Sequence, residues 1–192
     1  MPISYKIKTP PTLKPVDLAY VKEHSKIDYT DEDTVLQGYL DAAIAYAEKY
    51  MGRGIMSQTV TQTFNAWPAS GCYLELALSP LFGATPINHI KYYDTDEAQQ
   101  TLAITVYGVT AVNEPPLIFL KKDQSWPSLA SRPEAIEVEF TAGYADAASV
   151  PATIKQAICL LFAYFEAGRE DSVKQKKTSA ENLLDKDWVG SY

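Results

Sequence analysis

The sequence predicts an α+β protein. It reads as a small helical module, two long helices plus short flanking helices, with an inserted antiparallel β-sandwich or barrel-like domain. Three observations carry that expectation. Helical patterning runs from Thr30 to Gly52 and again from Pro151 to Gly168, the stretch between them reads as short strands, and polar, charged segments lie outside. The implied boundaries are an extended N-terminal arm over 1–15, a helical module over 16–56 and 145–168, a β-domain over 57–144, and a tail over 169–192 containing a short helix.

The arm holds Pro2, Pro10, Pro11 and Pro15, which bar a helix, and Ile3, Tyr5 and Ile7 alternate with Ser4, Lys6 and Lys8. Alternation predicts an extended segment able to add to a sheet edge. Val16 to His24 follows as a short helix with a weak apolar face of Val16, Ala19 and Tyr20. Thr30 or Asp31 is placed to cap the next helix, and Asp31, Glu32 and Asp33 put negative charge on its first turn. Val35, Leu36, Tyr39, Leu40, Ala43, Ile44, Ala47, Tyr50 and Met51 recur at helical spacing, and Gly52 suits a left-handed stop.

From Ser57 the period moves toward two. Strands are expected over Thr59–Phe64, Tyr73–Leu78, Ile87–Tyr93, Gln100–Thr105, Tyr107–Val112, Leu117–Leu120 and Ala135–Thr141, punctuated by proline and glycine. Pro151 then suits the first position of a helix whose Ile154, Ala157, Ile158, Leu161, Phe162 and Phe165 form one face. Leu160, Ala163 and Tyr164 widen that face until the helix is apolar nearly all round, which demands cover on several sides. The expected helical core is Leu36, Leu40, Ile44, Ile158, Leu161 and Phe165. In the tail, Leu183, Leu184 and Trp188 give one amphipathic turn, too short to hold itself folded.

Composition narrows the function. Hydrophobic residues make up 46% and charged residues 21%, near globular norms. No stretch approaches the roughly 20 apolar residues that cross a bilayer, and 1–15 has no signal-peptide core, so a cytosolic chain without membrane association is expected. Net charge is −7. The tail balances five basic against five acidic residues, and the arm carries Lys6, Lys8 and Lys14 without an acid, so the body is more acidic than the total implies. Duplex affinity comes largely from Lys and Arg neutralising phosphates, which such a body does not offer. The 13 tyrosines suit a protein with large partner surfaces.

Catalytic chemistry is sparse. There is no phosphate-binding loop, no His-Glu-x-x-His, no Gly-x-Ser-x-Gly and no cysteine pair at zinc spacing. Cys72 and Cys159 read as buried thiols, with a disulfide left open. His24 and His89 lie in different segments. Asp94, Asp96 and Glu97 crowd one turn but lack the glycine and distal glutamate of a calcium loop. No catalytic residue, metal or cofactor is expected. Two rival readings remain: a ligand- or carbohydrate-binding β-module using Trp67 and Trp126, and a hydrolase using Asp94 and Asp96.

Several segments, in order, resemble the head–tail connector, or neck adaptor, proteins of tailed bacteriophages and gene transfer agents. They are Pro15-Val16-Asp17-Leu18, Ile27 to Asp33, Ala45 to Arg53, Ser57-Gln58-Thr59, Leu78-Ser79-Pro80-Leu81, Ile90 to Asp94, Tyr107-Gly108-Val109, Val138 to Tyr144 and Val150 to Ile158. The resemblance is to the version carrying an inserted β-domain. It implies a non-enzymatic structural subunit of a twelvefold ring in the virion neck, assembled in the host cytoplasm. The implied partners are the portal protein, copies of itself, and a tail-completion, stopper or tail-terminator protein. Genomic DNA would pass through the channel without specific binding. On this reading Arg169, Lys174, Lys176 and Lys177 offer charge to the portal, and Leu183, Leu184 and Trp188 offer an apolar face that folds on it.

Overall fold

The structure, a computed structural model, describes residues 4–69, 71, 73–83, 85–111, 114–168 and 178–189. They divide into two compact units. One joins the described residues through Thr12 to Ser57–Tyr144; the other joins Leu13–Met56 to the described residues from Ala145 onward.

The helical unit begins with α1, Leu18–Ser25, where the Asp17 carboxylate accepts from the Tyr20 N–H at 2.8 Å. Helix α2 spans Asp33–Met51. Its cap differs from expectation. Glu32 occupies the N-cap position without a side-chain bond, and the first turn closes through the Thr30 carbonyl accepting from Asp33 N–H. Asp33 instead pairs with Lys22 of α1 at 2.6 Å, so this acid ties two helices together. Helix α3 spans Ala152–Ala167, with Pro151 just outside it. Helix α4, Ser179–Leu184, runs into a 3-10 turn over Asp185–Asp187.

The buried stripe of α2 is Leu36, Leu40, Ala43, Ala47 and Met51, and α3 buries Ile154, Ala157, Ile158, Cys159, Leu161 and Phe162. Of the expected core, Leu36, Leu40, Ile158 and Leu161 are buried, whereas Ile44 and Phe165 are only half-buried. Ile44 lies at the margin of the stripe, about 60° around the helix from its centre. Phe165 sits at the margin of its face, edge-on to Tyr46 with centroids 6.3 Å apart, and Phe162 takes the interior place. Small Ala43, Ala47 and Ala157 allow close approach of α2 and α3.

The β-unit contains β1 (Ser4–Thr9), β2 (Gln58–Phe64), β3 (Leu74–Glu75), β4 (Ile87–Tyr93), β5 (Gln99–Thr101), β6 (Tyr107–Thr110), β7 (Leu117–Leu120) and β8 (Ile136–Ala142). They form a five-stranded sheet, β1-β2-β8-β4-β5, and a three-stranded sheet, β3-β7-β6. Every adjacent pair is antiparallel, and neither sheet closes into a barrel. The two sheets share one core. Val60, Ile87, Ile90, Ile136, Val138 and Phe140 from the larger meet Leu74, Tyr107 and Ile118 from the smaller.

The arm is not a loose leader over its described length, because Tyr5, Lys6 and Ile7 register against Gln62, Thr61 and Val60. The strand expected over Tyr73–Leu78 shrinks to Leu74–Glu75. Buried Gln62 explains why: its amide nitrogen donates to the Glu75 carbonyl at 3.0 Å and its oxygen accepts from Ala77 N–H at 2.8 Å, replacing ladder bonds. The strand expected over Gln100–Thr105 ends at Thr101, after a last bond from Leu102 N–H to the Ile90 carbonyl.

Leu40 is fully buried at the centre of the α2 stripe. Leu40→Ala is expected to lower stability by about 2–5 kcal/mol in denaturant unfolding, by lost burial plus a cavity. Stability equal to the parent would mean that the α2 face is assigned to the wrong side.

Candidate functional site

The residues that could have carried chemistry are used by the fold. The oxygen Oδ1 of Asp94 accepts from the backbone N–H groups of Asp96 and Ala98, both at 3.0 Å, and Oδ2 accepts from Gln100 at 2.9 Å. The Gln100 bond first, then the Ala98 N–H, holds the Asp94 carboxyl below its usual range. It shapes its own turn. Trp67 and Trp126 stack on each other, centroids 4.5 Å apart and planes 5° off parallel, and Trp67 Nε1 donates to the Pro127 carbonyl. Each ring therefore covers one face of the other, and Tyr92 meets Trp67 edge-on with centroids 6.0 Å apart. His24 lies 3.0 Å from the Gln156 amide in the helical unit, and His89 belongs to the β-unit. Among the described residues, no group of three His, Cys, Asp or Glu side chains could hold a metal ion. No described helix is long and apolar enough to cross a membrane. Cys159 is buried as a free thiol, and Cys72 lies outside the described residues.

The tail is the largest departure from expectation. Arg169, Lys174, Lys176 and Lys177 lie outside the described residues. Helix α4 packs on α2 and α3, and Ala180 and Leu184 are buried there. Leu184 is therefore part of the subunit's own core, a correction to its expected portal-facing role. The cause is the apolar girth of α3, which needs a cover that the tail supplies. Leu183 is half-buried, while Trp188 remains 55% exposed.

Polar groups fix α4 in place. Thr178 and Glu181 form a reciprocal capping box. Tyr46 donates to Glu181 at 2.6 Å, and Tyr50 donates to Asp185 at 2.8 Å. The bond to Glu181, with burial next, pushes the Tyr46 phenol up to about 12. Buried Arg53 donates to the Asp187 carbonyl at 3.2 Å, and Thr153 donates to the Asp187 carboxylate. Val189 N–H then bonds the Met51 carbonyl at 2.9 Å. Gly52 is required at this point. Its φ is +66°, and a Cβ there would meet the Val189 carbonyl oxygen at 3.0 Å. Sequence reasoning missed these partners. The available signal was Tyr46 lying off the main stripe of α2.

The β-unit has one buried charge cluster that the sequence did not single out. Glu139 of β8 is 8% exposed; it accepts from Lys8 of β1 at 2.5 Å and from Asn88 at 3.1 Å. His89 Nε2 lies 3.9 Å from the same carboxylate and 3.5 Å from Glu137. Burial alone would raise the Glu139 pKa, but the Lys8 and Asn88 bonds and the neighbouring His89 outweigh it, and the net shift is downward. This cluster spans β1, β8 and β4, over the threonines of β2, and it pins the N-terminal strand to the sheet.

With this geometry in place, a protein-family model described as head completion protein matches residues 16–182. The chain belongs to the head completion protein family. Its fold is shared along nearly the whole length with chains of solved gene transfer agent particles. A chain from the neck of an empty particle, computed with C6 symmetry, is 19% identical, with a TM-score of 0.80, covering 98% of this chain and 97% of that one. One from the virion of a native particle is 20% identical, with a TM-score of 0.79 and coverages of 98% and 96%. A third, from the neck of a native particle computed with C12 symmetry, is 20% identical, with a TM-score of 0.76 and coverages of 100% and 97%. No curated protein matches. The head completion family model takes in the helical unit, the β-unit from β2 onward and part of α4, so the likeness does not rest on one element.

The Glu139 cluster is expected to make the first strand of this head completion family member sensitive to acid. Because the folded-state pKa of Glu139 lies below its ordinary value, its stabilising contribution is present above that ordinary value and is lost as pH falls through the folded one. Hydrogen exchange of the β1 amides should accelerate relative to β8 on acidification from about pH 7 to about pH 3. Glu139→Gln should already show the faster β1 exchange at neutral pH. A β1 protection that ignores both acid and Glu139→Gln would contradict the pinning role.

Proposed function

We propose that this chain is a non-enzymatic ring subunit of the neck of a phage-like particle, joining the DNA-filled head to the tail. In this role it docks on the portal protein, extends the DNA channel and gives a platform to a stopper, tail-completion or tail-terminator protein. The observation that carries the reading is the family match over residues 16–182, together with a fold likeness that covers 98% of the chain. The neck structures it is similar to were computed with C6 and C12 symmetry, which supports several copies arranged as a ring, twelve by the higher symmetry.

Physical features support the same role. A net charge of −7 suits a wall along which DNA slides, since a duplex is held through clustered Lys and Arg. The portal-facing surface is assigned to the basic segment Arg169, Lys174, Lys176 and Lys177, with exposed Trp188 as its apolar anchor and half-buried Leu183 beside it. Tryptophan in such a position typically carries a large share of binding energy. Leu184 is excluded from that surface because it is committed to the subunit's interior.

Electron microscopy of particles tests the role, with Trp188→Ala as the probe of the anchor. A ring of this chain is expected directly below the portal. Trp188→Ala should fold with an unchanged melting profile yet recruit to heads at least about tenfold less well, in line with the loss of an interface hot spot. Particles whose neck lacks the chain, or normal recruitment of Trp188→Ala, would count against the role or the anchor respectively.

A further inference from the structure

The two edges of the five-stranded sheet carry complementary chemistry. Strand β1 lies at one edge and β5 at the other, four strand spacings or about 19 Å apart. At the β1 edge Lys6 is exposed and Met1 to Pro15 contains no acidic residue, with Glu134 in the groove beside Tyr5 and Lys6. The opposite edge is acidic: the turn between β4 and β5 holds Asp94, Asp96 and Glu97, the last two exposed.

Each edge also exposes apolar side chains. Tyr5 and Ile7 are 47% and 44% exposed. By register they stand on the same face as Gln62 and Val60, and so continue the core-facing side of the sheet. At the far side, Ile104 follows β5 in the turn leading to β6 and is 61% exposed, the highest value among the large hydrophobic residues described.

The geometry points to a head-to-tail contact in which the β1 edge of one copy seats on the β4–β5 edge of the next. Lys6 faces the Asp96–Glu97 turn, and Tyr5 and Ile7 lie along β5 on the side that leads toward Ile104. This inference rests on the ring reading and names the contact that would build the ring in the β-unit. Charge selects the pairing. Two β1 edges would set lysine against lysine, and two β5 edges would set acid against acid, so symmetric edge pairing is disfavoured and the mixed pairing remains. A contact between two different patches of one chain repeats around a circle or a helix, as a ring subunit requires. Lys8 contributes less, because Glu139 already holds it, and Asp94 is spent on its own turn.

A charge-swap cycle on the full-length chain tests the contact. Self-association is measured by sedimentation velocity for the parent, Lys6→Glu, Asp96→Lys and the double variant, with circular dichroism confirming that all four fold alike. Each single reversal should weaken association about tenfold, because it turns an attractive juxtaposition into a repulsive one. The double variant should recover most of that loss, and Ile104→Ser should weaken association without restoring under either swap. A parent that does not self-associate, single variants that match the parent, or a double variant no better than the singles would each overturn the contact. The ring reading is judged separately by the neck images. A neck ring containing this chain, with an inert charge-swap cycle, leaves the ring and removes this edge. An active cycle with the chain absent from the neck leaves the contact and removes the ring.

Discussion

Helix α3 sets the terms for the helical unit. A sixteen-residue helix carrying Ile154, Ala157, Ile158, Cys159, Leu161 and Phe162 cannot stand with one face in water. Helix α2 covers one side, through alanines that let the backbones approach, and α1 contributes a smaller contact. The remaining side is closed by α4, from near the far end of the chain. Once α4 is required, much of the local sequence follows. Tyr46, Tyr50 and Arg53 on and just after α2 face Glu181, Asp185 and Asp187, and Gly52 must lack a side chain where the Val189 backbone passes.

The β-unit is organised by a different constraint, the strict alternation of β2 and β8. Val60, Gln62, Val138 and Phe140 point to the core, while Thr61, Thr63, Glu137 and Glu139 point to the other face. A one-residue slip would turn Glu137 and Glu139 into the apolar core, away from Lys8 and Asn88, and turn Phe140 out of it, so the register is strongly specified. The N-terminal strand joins this pattern from outside, through Lys8 on Glu139, and leaves its own edge unpaired among the described strands. That edge carries Lys6, and the opposite edge is a strand of only three residues that follows the acidic β4–β5 turn, both common ways of governing what a sheet may meet.

How much of this was legible in the sequence differs between elements for physical reasons. Helices α2 and α3 announced themselves through long runs at helical spacing, and Gly52 marked the end of α2. Strands β2, β4, β7 and β8 were legible by alternation and their flanking turns. The shortening of β3 was not, because it depends on a single glutamine amide reaching across to two backbone groups. Nor was the destination of Leu184. A tail with few apolar residues looks the same in sequence whether it folds on a partner or on its own body, and only the bare side of α3 decides. Glu139 was hidden because a glutamate alternating with valine and phenylalanine reads as an outward, solvated residue until Lys8 and Asn88 are brought to it.

The consequence for assembly is a division of labour along the tail. Ala180, Leu184 and Val189 are buried in the subunit, while the Trp188 ring among them stays 55% exposed. The measurement that addresses this most directly is hydrogen exchange by mass spectrometry on the full chain and on one ending at Gly168. If α4 is the cover of α3, the amides from Ile154 to Phe162 lose protection in the shortened chain while β2 and β8 keep theirs. Equal protection of α3 in both chains would show that α3 needs no cover from the tail.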